Sequence, residues 1–255
     1  MDPYAWSWNA EALVVLGLTA AYLLALRRFP ASGWRIVCFL AAMALLLAAS
    51  VTPIHTLGMH YLLTVHLLQN VVLAEWAPLL AVLGIPSALA ASIMRPRAIR
   101  TLTHPAVALP LWLANYMIWH LPWIYDSALE NPHTLLHLEH AMYFTTGILM
   151  WWCVIQDEPH GLGSGTRAGY VFAAFVLGSP VGLVMALVPD PIYDFYVGAH
   201  HRVWGLDPLE DQQLAGMLMA IEQAVVFFAV FAYWFFRFLA EEERREDVDP
   251  PAVRA

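Results

Sequence analysis

The stretch MHYLLTVHLLQNVVLAEWAPLLAVLGIP, residues 59–86, decides the fold that we predict for this chain. It is longer than the roughly 20 apolar residues that a helix needs to cross a bilayer. It also contains two histidines, a Gln–Asn pair and Glu75. A carboxylate at mid-depth in lipid costs about 2.5 kcal/mol or more, so such groups usually face the interior of a helix bundle and serve a function. We therefore expect the rest of the chain to supply helices that enclose this segment.

The composition is typical of a polytopic membrane protein. Of the 255 residues, 60% are hydrophobic and only 13% are charged, which is too apolar for a soluble domain. All twelve basic side chains are arginines, and this excludes a retinal pigment, whose Schiff base needs a lysine. Cys38 and Cys153 form neither a CxxC nor a CxxCH motif, which excludes covalent haem attachment. No basic stripe is present, so we expect no nucleic-acid partner.

Seven apolar segments approach the length of a membrane span. They are residues 10–26, 34–51, 60–83, 105–121, 135–155, 168–188 and 214–238. If all seven cross the membrane, every arginine except Arg202 falls on one side, which the positive-inside rule makes the cytoplasm. The sequence therefore predicts an all-α, seven-transmembrane-helix bundle at residues 1–240, with the N-terminus outside, and a charged cytoplasmic tail at residues 241–255.

Most of the histidines fall near the outer side of this predicted topology. They lie in outer loops or in the outer halves of spans: His55, His60, His66, His120, His133, His137, His140, His200 and His201. His66 and Asn70 are four residues apart and share one helix face, and His137 and His140, three apart, share another, with Glu139 beside it. Imidazoles from several helices that face one bundle interior are typical of Cu, Zn, Ni or Fe sites.

A single histidine of this kind is more often an interfacial or hydrogen-bonding residue than a metal ligand. The shared depth of His66, His120, His137 and His140 nevertheless favours a common metal or haem site. His60 lies about 9 Å above His66 at the rise of a helix and points to another face, so it serves as a reserve ligand.

The seventh segment adds further polar and thioether groups. Asp211 and Gln212 lie at its outer end, Met217 and Met219 follow, and Glu222 lies deeper. Methionine thioethers suit Cu(I), although methionine in an apolar helix usually only packs.

Glu75 and Glu222 are the two carboxyl groups that we predict to lie deepest in the membrane. They could be protonated, hydrogen-bonded, or part of a proton path. The sequence leaves these alternatives open.

Three stretches together resemble the CtaG-type cytochrome c oxidase assembly factors. They are HLLQNVVLAEWAPLLAVLGIP (66–86), HLPWIYDSALENPHTLLHLEHAMYFTTGILMWW (120–152) and DQQLAGMLM (211–219). The resemblance implies a seven-span protein of the bacterial plasma membrane that supplies copper to a haem–copper oxidase. It further implies oxidase subunits, and a copper donor protein, as partners.

The family's motifs fall on named positions of this chain. Its His-Met-x-x-His stretch falls on His66, Leu67 and Asn70, so the methionine and the second histidine are replaced here. Its His-Leu-Pro falls on residues 120–122 and its Glu-His pair on residues 139–140.

The last motif, Asp-Gln-Gln-Leu-x-Gly, falls on residues 211–216. Where the family often continues Trp-x-Pro-Gly, this chain has Ala220, Ile221, Glu222 and Gln223. The chain has therefore gained an acidic residue at this depth.

We expect a membrane-bound assembly factor that binds copper at its outer side and passes it to the oxidase. The ligands would be His66, His120, His137 and His140, with Glu139 or Asp211 orienting the imidazoles. Binding and release need no turnover chemistry, so an enzyme is not expected.

Three alternatives stay open. One is an intramembrane zinc-dependent hydrolase with Glu139 or Asp211 as general base. Another is a haem-binding electron carrier with His66 and His140 as axial ligands. The last is a proton or metal transporter that uses Glu75 and Glu222.

Overall fold

The computed structural model describes residues 2–199 and 203–248. Helices account for 78% of these residues, and no strand occurs among them. The helices are α1 (Ala10–Ala25), α2 (Gly33–Val51), α3 (Pro53–His60), α4 (Leu63–Val71), α5 (Ala77–Gly84), α6 (Ser87–Ile93), α7 (Arg97–Leu102), α8 (Pro105–Trp119), α9 (Pro122–Glu130), α10 (Leu135–Ile155), α11 (Ser164–Gly178), α12 (Pro180–Leu187), α13 (Asp194–Val197) and α14 (Pro208–Val248). His200, His201, Arg202 and residues 249–255 lie outside the described part of the chain. The all-α prediction is confirmed.

Four helical stretches in the described residues are long and apolar enough to cross a membrane. They are Gly33–Val51, Leu63–Gly84, Ser164–Leu187 and Pro208–Arg245, and Ala10–Ala25 is a shorter apolar helix. Helices α8 and α10 coincide with the fourth and fifth predicted apolar segments. The chain is therefore a membrane protein built from apolar helices.

The segment at residues 59–86 forms the central helix of the bundle. In the most apolar window of Leu63–Gly84, 72% of the residues are buried, compared with 28% to 39% in the other three stretches. Helix α4 continues through one π-helical turn, Val72–Trp76, into α5. The central helix packs against α2, α10 and α14, which together enclose its polar side chains.

Close packing around this helix depends on glycines at particular contacts. A Cβ atom at Gly147 of α10 would collide with the backbone carbonyl of Ala74, and one at Gly84 would collide with the backbone of α2. Gly58 lies against the backbone of His66, where a Cβ would come within 3.0 Å of the His66 Cα. These glycines let neighbouring backbones approach and fix the depth of the central helix.

Two ends of the bundle carry different polar side chains. We call the end that holds His66, His120 and His140 the histidine end. The opposite end of the central helix, beside Arg35 and Gln156, is the arginine end. At the arginine end, the Gln156 side-chain amide donates hydrogen bonds to the carbonyls of Val82 (2.8 Å) and Ile85 (3.1 Å).

Candidate metal centre

Three histidines from three different elements converge at the histidine end. His66 extends from α4, His120 ends α8, and His140 extends from α10. The ring centroids of His66 and His140 are 6.4 Å apart. The Tyr125 ring on α9 lies between the elements, 5.3 Å from the His66 ring and 6.2 Å from the His120 ring. Of the four histidines that the sequence favours as ligands, the structure thus places the His66 and His140 rings near each other and His120 near the same tyrosine as His66. The fourth, His137, shares a carboxylate with His140, as described below.

All three imidazoles are buried: the exposed fraction is 0% for His66, 8% for His120 and 3% for His140. Neither ring nitrogen of His66 has a hydrogen-bond partner, and the Nε2 atoms of His120 and His140 also have none. A buried polar atom without a partner costs about 1–3 kcal/mol, so native proteins rarely leave one unexplained. Four such nitrogens in one region point to a ligand that they could bind.

Glu11 holds two of the histidines from the N-terminal helix. Its Oε1 atom accepts from the Nδ1 atoms of His137 and His140, each at 2.7 Å. Bonding at Nδ1 fixes the ring orientation and leaves Nε2 free, which is the usual role of a carboxylate behind a metal-binding histidine. Glu11 is therefore the residue that the sequence reasoning missed. Nothing in the local pattern of α1 indicated it, because its partners lie 126 and 129 residues away.

A cavity of about 220 Å³ opens beside this carboxylate. Its wall is formed by apolar side chains of α1, α2 and α10, together with Glu11, His137 and His140. His137 is the more exposed of the two histidines, with 27% of its side chain accessible compared with 3% for His140. This cavity is a route by which a ligand could reach His140 from the bundle surface.

Further polar side chains surround the three imidazoles. The Gln69 side-chain amide lies 3.3 Å from Nδ1 of His55, which is on α3. Burial lowers the pKa of His55 to about 4, so this imidazole is neutral at physiological pH. The Asn70 side-chain amide donates to Oε1 of Glu139 at 3.2 Å. The sequence alone does not single out His55, because it lies in a connection between predicted spans.

The remaining predicted site residues lie in other surroundings. His60 is exposed on α3 and makes an edge contact with Tyr61. Met217 is 44% exposed, whereas Met219 is buried in the apolar core. Glu222 lies beside Trp76, whose indole N–H donates to its carboxyl group.

Asp211 and Gln212 hold neighbouring backbone. The Asp211 carboxylate accepts from the backbone N–H groups of Leu63 (2.7 Å) and Thr64 (2.9 Å), at the start of α4. Gln212 accepts from the Ile192 N–H at 2.6 Å and donates to the Asp190 carbonyl at 3.2 Å. Both side chains fix the positions of the elements that carry the histidines.

The donor set fits a metal that prefers imidazole. Buried imidazoles with free ring nitrogens are ligands for Cu, Zn or Fe, and copper binds nitrogen donors strongly among divalent metals. In the described residues, no three His, Cys, Asp or Glu side chains are already spaced to hold a metal ion. Binding would therefore require the rings of His66, His120 and His140 to rotate or move together.

Apolar helices surround a central helix that carries buried polar side chains, and buried imidazoles lie at one end of it. These features define a polytopic membrane protein with a candidate metal centre. Residues 20–241 match the model of the cytochrome c oxidase caa3 assembly factor family (Caa3_CtaG), and the chain belongs to this family. The resemblance predicted from the sequence is thus confirmed. No curated protein and no solved structure matches the chain.

Proposed function

We propose that the chain crosses a bacterial plasma membrane seven times with its N-terminus outside. The spans are α1, α2, α4 with α5, α8, α10, α11 with α12, and α14. The arginine distribution supports this orientation, since Arg35, Arg95, Arg97, Arg100 and Arg167 all lie near the arginine end or in connections on that side. The histidine end then faces the outside, where a copper donor protein and the copper-binding parts of an oxidase can reach it.

We propose that His66, His120 and His140 bind one copper ion at this end. The observation that carries the proposal is the set of four buried nitrogens without hydrogen-bond partners on these three imidazoles. His137, which lines the cavity and is more exposed than His140, would receive the ion first and pass it to His140. Glu11 would keep both rings oriented throughout.

The function would be copper supply to cytochrome c oxidase during its assembly. Family membership supports an association with the oxidase. Copper(I) suits a site of two or three imidazoles, and release needs a site that is not rigidly preformed. The imidazole rings that must move to close around an ion are consistent with transfer rather than permanent storage.

The test is complementation of a bacterial strain that lacks its own assembly factor of this family. We expect the wild-type chain to restore oxidase activity and oxidase copper content, and His140→Ala to restore neither at equal expression. His133→Ala is the matched control, because His133 is exposed at the same end and should leave both readouts unchanged. Full restoration by His140→Ala would contradict the proposed function.

A further inference from the structure

Two carboxyl groups meet in the interior of the bundle, away from the imidazoles. Glu75 lies in the π-helical turn of the central helix and is 1% exposed, and Glu222 lies on α14 and is 8% exposed. Each carboxyl group is bound by the residue that follows the other in the chain, because Gln223 donates to Glu75 and Trp76 donates to Glu222, and this places the two carboxyl groups side by side. A π-helical turn inside an α-helix frequently marks a functional site, and here it places Glu75 opposite Glu222.

The Oε1 atom of each carboxyl group accepts a hydrogen bond from a neutral donor. The Gln223 side-chain amide donates to Oε1 of Glu75 at 2.9 Å and to the Tyr116 hydroxyl at 3.2 Å. The Trp76 indole N–H donates to Oε1 of Glu222. None of the ion pairs in the described residues involves Glu75 or Glu222.

The two remaining oxygens have no donor from any other group. Oε2 of Glu75 and Oε2 of Glu222 are both buried and without a hydrogen-bond partner. Two adjacent carboxylates repel each other, and burying two charges without a counter-ion is far more costly than burying one shared proton. One proton held by the pair removes the repulsion between the two carboxylates.

The surroundings are packed with aromatic rings on the side toward the arginine end. The rings of Trp112, Trp151 and Phe227 fill the core there, and all three are fully buried. Trp112 stacks on Tyr116 with ring centroids 5.6 Å apart. Apolar surroundings of this kind increase the free-energy cost of an uncompensated charge on the pair.

A metal ion fits this pair less well than a proton. Mg²⁺ and Ca²⁺ need six or more oxygen ligands. In the described residues, no third acidic or imidazole group joins the two carboxyl groups to make a metal cluster. The facing groups are the uncharged Tyr116, Trp76 and Gln223.

We propose that Glu75 and Glu222 form a proton-binding site inside the membrane domain, in which one proton is shared between their Oε2 atoms. The site goes beyond the proposed copper function and does not depend on it. Gain or loss of this proton changes the charge of the bundle interior by one unit, and no metal ion is needed for the change.

The test is infrared spectroscopy of the metal-free, full-length protein in detergent at pH 7. A protonated carboxyl group gives a carbonyl-stretch band that is separate from the carboxylate bands and shifts in D₂O. We expect such a band in the wild type and a loss of its intensity in both Glu75→Gln and Glu222→Gln. The glutamine amide can replace the shared proton as a donor, so either variant leaves the other glutamate ionised.

Glu130→Gln is the matched control, because Glu130 is exposed and outside the pair. The control should keep the band, and circular dichroism should show equal helix content in all variants. Loss of the same band intensity in both variants supports one shared proton. Absence of the band in the wild type, or an undiminished band in either variant, would overturn the proposal, and the wild-type spectrum alone can do so if a variant fails to fold.

Discussion

The two ends of the central helix differ in the hydrogen bonds that their polar side chains make. At the arginine end, Arg35 donates to the carbonyls of Leu83 (3.1 Å) and Ile85 (2.6 Å), and Gln156 donates to Val82 and Ile85. These carbonyls belong to the last turn of a helix, which leaves four of them without partners in the helix itself. The polar groups at this end therefore stabilise the fold.

At the histidine end, by contrast, buried polar groups are left without partners. His66, His120 and His140 together have four free ring nitrogens in the protein interior. Their presence reduces stability unless a ligand binds them. The arginine end also has buried atoms without partners, Arg167 Nε and Trp234 Nε1, but these are N–H donors that cannot bind a metal. The difference between the two ends is therefore the presence of free imidazole nitrogens at the histidine end.

The largest effect on Cu(I) affinity should follow from removing one of the proposed histidine ligands. Loss of a supporting partner typically costs roughly 10–100-fold in metal affinity, so we expect His140→Ala to lower Cu(I) affinity by about 100-fold or more. Competition with a chromophoric Cu(I) chelator measures this change in the purified protein. His133→Ala should bind copper as the wild type does, and an equal loss in that control would argue against a specific site.

A smaller effect is expected when the orienting carboxylate is neutralised. Glu11→Gln keeps the shape of the side chain but weakens its hydrogen bonds to His137 and His140, so we expect a loss of about 10–100-fold in Cu(I) affinity. The same chelator competition measures it. Unchanged affinity would mean that Glu11 does not act through the two imidazoles.

A change at the arginine end should affect stability and leave metal binding intact. Gln156→Ala leaves the carbonyls of Val82 and Ile85 without this donor, at a cost of about 1–3 kcal/mol. Thermal unfolding in detergent should show a lower midpoint, and Cu(I) affinity should equal that of the wild type. If Gln156→Ala lost copper affinity and kept its unfolding midpoint, Gln156 would belong to the metal site, which contradicts the structural role given to the arginine end.

The smallest effect concerns a satisfied polar group at the histidine end. Asp211 accepts the first backbone N–H groups of α4, and losing such a cap typically costs about 1 kcal/mol. We expect Asp211→Ala to lower the unfolding midpoint modestly, and Asp211→Asn, which keeps one acceptor oxygen, to recover part of the loss. A large fall in copper affinity in Asp211→Asn would instead assign Asp211 to the metal site.

Much of the helical architecture followed from hydropathy. The predicted segments at residues 34–51 and 135–155 correspond closely to α2 and α10. The π-helical turn at Val72–Trp76 and the short helices between spans were not predicted, because their apolar pattern does not distinguish them from regular helix or loop. The charged tail predicted at residues 241–255 begins within α14, which continues to Val248.

The candidate site was predictable only in part. His66 and His140 could be assigned to interior faces from helical spacing, and the structure places their rings near each other. Glu11 could not be assigned, because its role depends on how α1 packs beside α10. Helical spacing relates residues within one helix and carries no information about which distant helix lies opposite.

Metal analysis of the detergent-purified protein tests the central claim most directly. The wild type and the triple variant His66→Ala, His120→Ala, His140→Ala would be loaded with Cu(I), desalted and measured for copper, zinc and iron, with a visible spectrum recorded alongside. If these three histidines bind copper, we expect about one copper per wild-type chain, no Soret band, and no copper above background in the folded triple variant. Copper retained by the triple variant, or zinc or haem in place of copper in the wild type, would contradict it.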